Sequence, residues 1–439
     1  MAASSTTLDS AGQEESTTSS SELEPEGDAV RVLKPRRAAP ADAVRPTRAE
    51  INLGALRHNL RVLRRALGGA PQASGSSPAI WGVLKADAYG HGAPAIARTL
   101  ERTGIDAICV ALLEEGLELR SAGITAPVIV MGGYYGPHHR GLEDAIESDL
   151  TPVLYEGGQL ERLGRIASAR GRERVRFHLK VDTNMGRLGA RPSEISELLD
   201  RADATPGVEL YGLMSHLACA DAADPQPTLV QLRALESVRR SARERGIVPT
   251  VCHVANSAGA LAFPSARFDA IRPGIALYGI SPFFGRGPSL PEELQRMAGE
   301  LRPAMRVRTE VVALRTLEDG DRLGYGHTWV ASGRRRIATV PMGYADGLSR
   351  AMSNRGSVLV RGRRAPIAGI VSMDLTTIDV TDVPDVRLGE EVVFLGSQDA
   401  GPGATATITA EEIAELAGTI PWEVVTSISR RVPRFYREP

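Results

Sequence analysis

From Ile51 to about Ser281, short β-branched runs alternate with longer stretches rich in Ala, Leu, Arg and Glu. The runs Ala79–Leu84, Ala107–Ala111, Val128–Met131 and Thr151–Leu154 are short and mostly apolar, as are Leu210–Ser215, Thr250–Val254 and Ala270–Arg272, while Val175–Val181 carries Arg176, His178 and Lys180 among its apolar residues. Runs of that kind predict strands buried on both faces of a parallel sheet. Between them, Leu113–Ser121, Gln159–Ala169, Pro192–Ala202 and Thr228–Arg245 are built from good helix formers. Eight strand–helix units in sequence predict an α/β fold, an N-terminal (β/α)8 barrel of the TIM type.

Near Pro288–Arg302 the pattern changes. Strand-like runs at Met305–Leu314, Arg336–Pro341, Val358–Val360, Ile367–Val371 and Val392–Phe394 follow, separated by turns such as Asp319-Gly320-Asp321. They predict a smaller, mostly β C-terminal domain with one helix at Ala410–Ala417. The expected organisation is an extension over 1–45, the barrel over 46–295 and the C-terminal domain over 296–439. The early run Ala49–Leu53 could add a strand to either domain.

Composition narrows the function classes. The formal net charge of the 439 residues is −1, with no long basic run, so neither nucleic acid nor a membrane surface is an expected partner. No apolar run approaches the roughly 20 residues of a membrane helix. Three scattered cysteines, Cys109, Cys219 and Cys252, suit a reducing compartment and offer neither a disulfide framework nor a metal knuckle. The Ser-, Thr- and Glu-rich tail is expected to be disordered, and it lacks the basic start and apolar core of a secretory signal. A cytoplasmic protein without a metal is the expectation.

Candidate chemistry lies where the predicted barrel strands end, the face on which such barrels carry their sites. Lys85 ends the first strand and Tyr89 lies four residues on. A lysine amine in apolar surroundings sheds its charge readily and can form a Schiff base with an aldehyde. With a phenol in reach of a phosphate, the pair suggests a pyridoxal 5'-phosphate (PLP) site, although a lysine snorkelling from a barrel rim would read the same. Lys180 and Arg187 follow the fifth strand, His216 the sixth, Asn256 and Ser257 the seventh, and Arg272, Gly274 and Ile275 the eighth. Loops after the last two strands often hold phosphate. Asn256-Ser257 could equally cap a helix, Gly274 could be a turn glycine, and His216 a satisfied core histidine.

Taken together, VLKADAYGHG (83–92), KVDTNMGRLG (180–189), SHLACAD (215–221), ANSAGAL (255–261) and RPGIALYG (272–279) resemble the alanine racemases. So do GYGHTW (324–329), PMGYADG (341–347), SMDLT (372–376) and RRVPR (430–434), all in the family's order. The resemblance spans Ile51 to Arg434 and implies a PLP enzyme that interconverts L- and D-alanine, supplying D-alanine for peptidoglycan. It implies that Lys85 carries the cofactor as a Schiff base and acts on one face of the substrate Cα. Tyr325 would be the base on the other face, contributed by the partner in a homodimer with active sites at the interface. Tyr89, Ser257, Gly274 and Ile275 would hold the phosphate, with Asn256 beside them. Arg272 would face the pyridine nitrogen, with His216 packed by the ring. Arg187, the Met373 backbone, Tyr344 and Asp374 would serve the substrate, and Lys180 matches a lysine often carbamylated in the family.

Two positions depart from the common pattern. Ser372 stands where many members have cysteine, and Arg430 where some have a tyrosine that touches the phosphate and narrows the pocket. Arg430 could still bind the phosphate, with charge added, or could turn outward and leave open a racemase of broader amino-acid range. A non-catalytic PLP-binding barrel protein is the alternative from another class, and such proteins typically lack the β domain.

Overall fold

The structure, a computed structural model, describes residues 43–68, 77–132, 134, 141–172 and 174–438. The expected disorder of the tail therefore falls outside the described residues, apart from its last few. After a first strand, β1 (Arg48–Asn52), come β2 (Ala79–Val83), β3 (Ala107–Val110), β4 (Val128–Val130) and β5 (Thr151–Leu154). They are followed by β6 (Val175–Lys180), β7 (Val208–Met214), β8 (Val251–His253) and β9 (Ala270–Ile271). Strands β2 to β9 pair in chain order, all parallel, and β9 pairs back onto β2 to close an eight-stranded barrel. Residues such as Ile108, Val110, Val128 and Val130 are fully buried, because the barrel's side-chain layers fill one face and helices cover the other.

The C-terminal strands are β10 (Met305–Glu310), β11 (Ala313–Leu317), β12 (Arg322–Leu323), β13 (Trp329–Val330) and β14 (Arg335–Val340). The rest are β15 (Ser357–Val360), β16 (Arg363–Pro366), β17 (Thr376–Asp379), β18 (Glu391–Gly401), β19 (Ala404–Ile408) and β20 (Arg434–Arg437). One sheet runs β16-β15-β18-β10-β1-β20, with β19 on β18; β11-β14-β17 and β12-β13 form two smaller sheets. The first strand thus joins the C-terminal sheet, antiparallel to β10 and parallel to β20. Buried Glu50 holds that junction by accepting hydrogen bonds from Arg48, Arg306, Arg308 and Arg437, at 2.7 to 3.1 Å.

Two expected strands are corrected. Met305–Leu314 is two strands in different sheets, because Val311 donates to Glu390 O while Val312 donates to Thr339 O, and the chain changes sheet between them. Ile367–Val371 is not a strand: Gly369 takes φ of 82°, and the Gly369 and Val371 N–H groups turn to Asn354 Oδ1 and Ser353 Oγ. The helix Ala410–Ala417 forms where its pattern places it, capped by Thr409. A further helix, Pro421–Ser427, follows it. Barrel and sheets belong to one compact unit with a continuous apolar core. No helix among the described residues is long and apolar enough to cross a membrane.

Candidate active site

A cavity of about 580 Å³ opens at the carboxyl ends of the barrel strands. Lys85 and Tyr89 line it after β2, His216 after β7, Asn256 and Ser257 after β8, and Arg272, Gly274 and Ile275 after β9. Ile420, Trp422 and Thr426, around the helix Pro421–Ser427, cover part of its rim. No sequence pattern marks these last three residues, whose arrival depends on how the C-terminal domain packs.

The segment after Lys85 is a left-handed turn. Ala86, Asp87, Ala88 and Tyr89 have φ of 52°, 57°, 54° and 52°. Each such L-residue costs roughly 1–2 kcal/mol, so the surroundings must hold the turn in place. Glu115 does so from the next strand–helix unit. Its Oε1 accepts from the Ala86 N–H at 2.6 Å, and its Oε2 from the Ala111 and Leu112 N–H groups at 2.8 and 3.0 Å. Asp87 Oδ1 accepts from the Ala93 N–H at 2.8 Å. His91 Nδ1 donates to the Ala88 and Tyr89 carbonyls at 3.1 and 2.9 Å. Gly90 has φ of 79°, and a Cβ there would lie 2.3 Å from the Val425 carbonyl oxygen, so the C-terminal domain presses on the turn from outside.

Tyr89 packs at 4.9 Å on Tyr278, whose hydroxyl donates to Val83 O at 2.9 Å. Burial pushes the Tyr89 phenol up, so it stays a protonated donor. A Cβ at Gly274 would fall 2.2 Å from the Tyr89 hydroxyl, so only glycine admits that approach. Ser257 Oγ accepts from the Gly274 N–H at 2.9 Å and ties the two last loops together. Asn256 Oδ1 accepts from Gly259 N–H at 2.9 Å, so its side chain caps the helix Ser257–Ala262.

Arg272 is buried beneath this cradle, and no carboxylate among the described residues pairs with it. Its Nη1 donates to His253 Nδ1 at 2.5 Å. Its Nη2 donates to Ser215 O at 2.7 Å, Val254 O at 3.2 Å and His216 Nδ1 at 3.4 Å. Burial lowers its pKa to about 10, which still leaves a cation at neutral pH. Burial and then the Arg272 charge hold His216 down to about 3, so that ring is a neutral acceptor. Burial, followed by Arg187, lowers Lys85; burial, followed by Arg272, lowers Lys180 to about 8. The cavity is a cationic, largely desolvated site that suits an anionic ligand and a reactive amine.

Other sequence-derived candidates stand apart from this cavity. Arg187 and Arg430 are exposed and do not line it. Tyr325, Tyr344 and Met373 lie on the C-terminal domain and are 71%, 42% and 52% exposed. Tyr325 sits on the turn Tyr325–His327, between Gly324 and Gly326, both with positive φ. Asp374 accepts from Arg431 Nη2 at 2.6 Å, and Arg431 also pairs with buried Asp346. Glu115, His253 and Asp346 are structural supports of the site that sequence patterns did not single out.

A family model described as alanine racemase, N-terminal domain, matches residues 51–282, and one described as alanine racemase, C-terminal domain, matches 304–436. The chain belongs to the alanine racemase family. Alanine racemase of Sorangium cellulosum (strain So ce56) is 61% identical over 396 residues, covering 90% of this chain and 100% of that protein. The crystal structure of alanine racemase from D-cycloserine-producing Streptomyces lavendulae has a TM-score of 0.79 at 36% identity, covering 90% of this chain and 98% of that one. Alanine racemase from Bacillus anthracis with bound L-Ala-P has a TM-score of 0.78 at 33% identity, over 90% and 96% of the two chains. The barrel and sheet arrangement is therefore that of the alanine racemase family.

The left-handed turn yields a stability prediction. Glu115→Ala leaves three N–H groups without their carboxylate and should lower unfolding stability by about 1–3 kcal/mol. Urea denaturation measures this, and an unchanged midpoint would contradict the role given to Glu115.

Proposed function

We propose that this chain interconverts L- and D-alanine, using PLP held in the barrel-mouth cavity. The observation that carries the reading is the convergence on one cavity of an amine with a lowered pKa, a phosphate-sized cradle and a buried arginine. The residues fit the cofactor. Lys85 would hold its aldehyde carbon. The Tyr89 hydroxyl, Ser257 and the backbone N–H groups at Gly274 and Ile275 would hold the phosphate, the missing Cβ of Gly274 letting the Tyr89 hydroxyl come close to that backbone. Bound there, PLP supplies an electron sink that acidifies the Cα–H of an amino acid joined to it.

The chain's own residues then move the proton. Lys85, largely desolvated, serves as base on the barrel side of Cα. Tyr325 serves on the opposite side, reaching the site from a second copy of the chain in a homodimer. Its exposure, shared with Tyr344 and Met373, supports a face completed by that second copy. Arg272 holds a fixed charge where the cofactor's ring nitrogen would lie, which disfavours protonation of that nitrogen and favours return of a proton to Cα over transamination. Arg187 would meet the substrate carboxylate from the rim, with the Met373 backbone, Tyr344 and Asp374 of the second copy beside it. The cytoplasm, where D-alanine would be used for peptidoglycan, is the proposed location.

Lys85→Ala should abolish both the cofactor's bound absorbance and racemisation. Tyr325→Phe should slow the reaction at least about 100-fold and suppress solvent-deuterium exchange unequally from the two alanine enantiomers. Retained activity in the first variant, or equal suppression in the second, contradicts the assignment. Arg430, exposed outside the cavity, favours a second reading as a racemase of wider range. Chiral product analysis over a panel of L-amino acids separates the two, since the narrow reading requires turnover of alanine alone.

Lys180, at about 8, keeps an appreciable neutral fraction near neutral pH, the form that adds carbon dioxide. Carbamylation would turn a cation beside Arg187 into its counter-charge. A carbamate resonance after labelling with 13C-bicarbonate, absent in Lys180→Ala, is the expected result; its absence from the unmodified chain would rule the modification out.

A further inference from the structure

Behind Arg272 the barrel interior holds two histidines that the reaction scheme does not use. His253 on β8 and His178 on β6 are buried, with Trp81 packed against both rings at 4.5 and 5.7 Å. His253 Nδ1 lies 2.5 Å from Arg272 Nη1, and His253 Nε2 lies 2.7 Å from His178 Nδ1. A guanidinium has only donors, so His253 Nδ1 must accept. The His253 proton is then on Nε2 and is donated to His178 Nδ1, which leaves the His178 proton on its own Nε2. Protonating either ring would set one N–H against another. Burial, followed by the Arg272 charge, independently keeps both rings neutral, with His178 at about 3.

The sequence makes room for this chain of rings. Gly212 on β7 faces His178, and a Cβ there would lie 2.5 Å from His178 Nδ1, on top of the hydrogen bond itself. The β6–β7 register also shifts between Phe177 and His178. Both terminal nitrogens of Arg272 therefore donate to neutral acceptors fixed to the barrel wall. Among the described residues Nε makes no hydrogen bond, so its N–H and the second N–H of Nη1 are left for a ligand.

We propose that His178 is a positioning residue: by accepting the Nε2 proton of the one His253 tautomer that can pair with Arg272, it fixes the orientation of the Arg272 guanidinium toward the cavity. The inference rests on the racemase reading for its kinetic consequence and on geometry alone for the tautomers. If His178 cannot accept, His253 loses its partner, its ring is free to reorient, and Arg272 loses the Nη1 anchor. A loosened Arg272 permits protonation of the cofactor's ring nitrogen, and the side reaction grows. In that reaction alanine's amino group passes to the cofactor's aldehyde carbon, water supplies the keto oxygen, and alanine leaves as pyruvate. Alanine is oxidised, and the cofactor is reduced to its amine form.

The test compares His178→Leu with His178→Gln, whose amide oxygen can still accept from His253. In the holoenzyme labelled with 15N-histidine and 15N-arginine, the His178 and His253 resonances of the unmodified chain, assigned by their loss in single variants, should not titrate between pH 5.5 and 9 and should both show the proton on Nε2. His178→Leu should shift the His253 and Arg272 resonances, lower kcat at least tenfold with KM within threefold, and raise pyruvate formed per racemisation at least tenfold. His178→Gln should restore most of each. A folded His178→Leu with unchanged Arg272 resonances and pyruvate ratio overturns the proposal, as does equal loss in the two variants. Should the leucine variant not fold, titration of His178 or His253, or an Nδ1 proton on either of these two rings, in the unmodified chain overturns it equally. Failure of the racemase reading would show as absent alanine turnover with the histidine tautomers intact.

Discussion

The site depends on a backbone conformation that the chain would not adopt by itself. Four consecutive L-residues, Ala86 to Tyr89, lie in the left-handed region between the amine-bearing Lys85 and the phenol that closes the cradle. At roughly 1–2 kcal/mol each, their cost is a large share of a typical domain's net stability. Such a turn persists only where several neighbours determine it at once. Glu115 binds it from the first turn of the helix Leu113–Ser121 after β3, Asp87 and His91 from within, and Tyr278 supports Tyr89 from beneath. The Val425 carbonyl and Arg434, which donates to Gly90 O at 2.9 Å, hold it from the other end of the chain. The barrel's chemistry is thereby tied to the packing of the C-terminal domain, although no catalytic step need cross between them within one chain.

Charge follows from the same economy of space. The cavity gathers Lys85 and Arg272, with Lys180 close enough to feel both charges, and no carboxylate among the described residues pairs with Arg272. A buried cation is tolerable when its N–H groups are satisfied, and backbone carbonyls and neutral imidazoles satisfy these. An ionised partner would neutralise the field that lowers Lys85 and Lys180. Neutral partners keep the field and direct it at the ligand. That arrangement suits a reaction that must return a proton to Cα instead of letting the electrons travel further.

Much of this was legible in the sequence, for identifiable reasons. The barrel strands read correctly because a strand buried on both faces is a short, nearly unbroken apolar run. Lys85, Tyr89, Ser257, Arg272 and Gly274 could be grouped in advance because barrel sites collect at strand ends, and the structure brings them to one cavity. The division of Met305–Leu314 was hidden because its residues keep their strand character while the chain changes sheet. The left-handed turn was invisible because Ala, Asp and Ala carry no preference for positive φ; the forces that impose it come from Glu115 and from Val425, far along the chain. The exposure of Arg187 and Arg430, and the arrival of Trp422 at the rim, are likewise properties of tertiary packing.

What one chain leaves unfinished is the opposite face of the cavity. Tyr325, Tyr344 and Met373 stand exposed on the C-terminal domain, away from the lysine they would serve. The account requires a second copy to bring them there, and mixing two inactive chains tests this directly. Lys85→Ala and Tyr325→Phe chains reassembled together form heterodimers in which one site recovers both residues. Random pairing should then restore about a quarter of the unmodified activity. Activity no greater than that of the separate variants would show that Tyr325 does not reach across to another chain's Lys85.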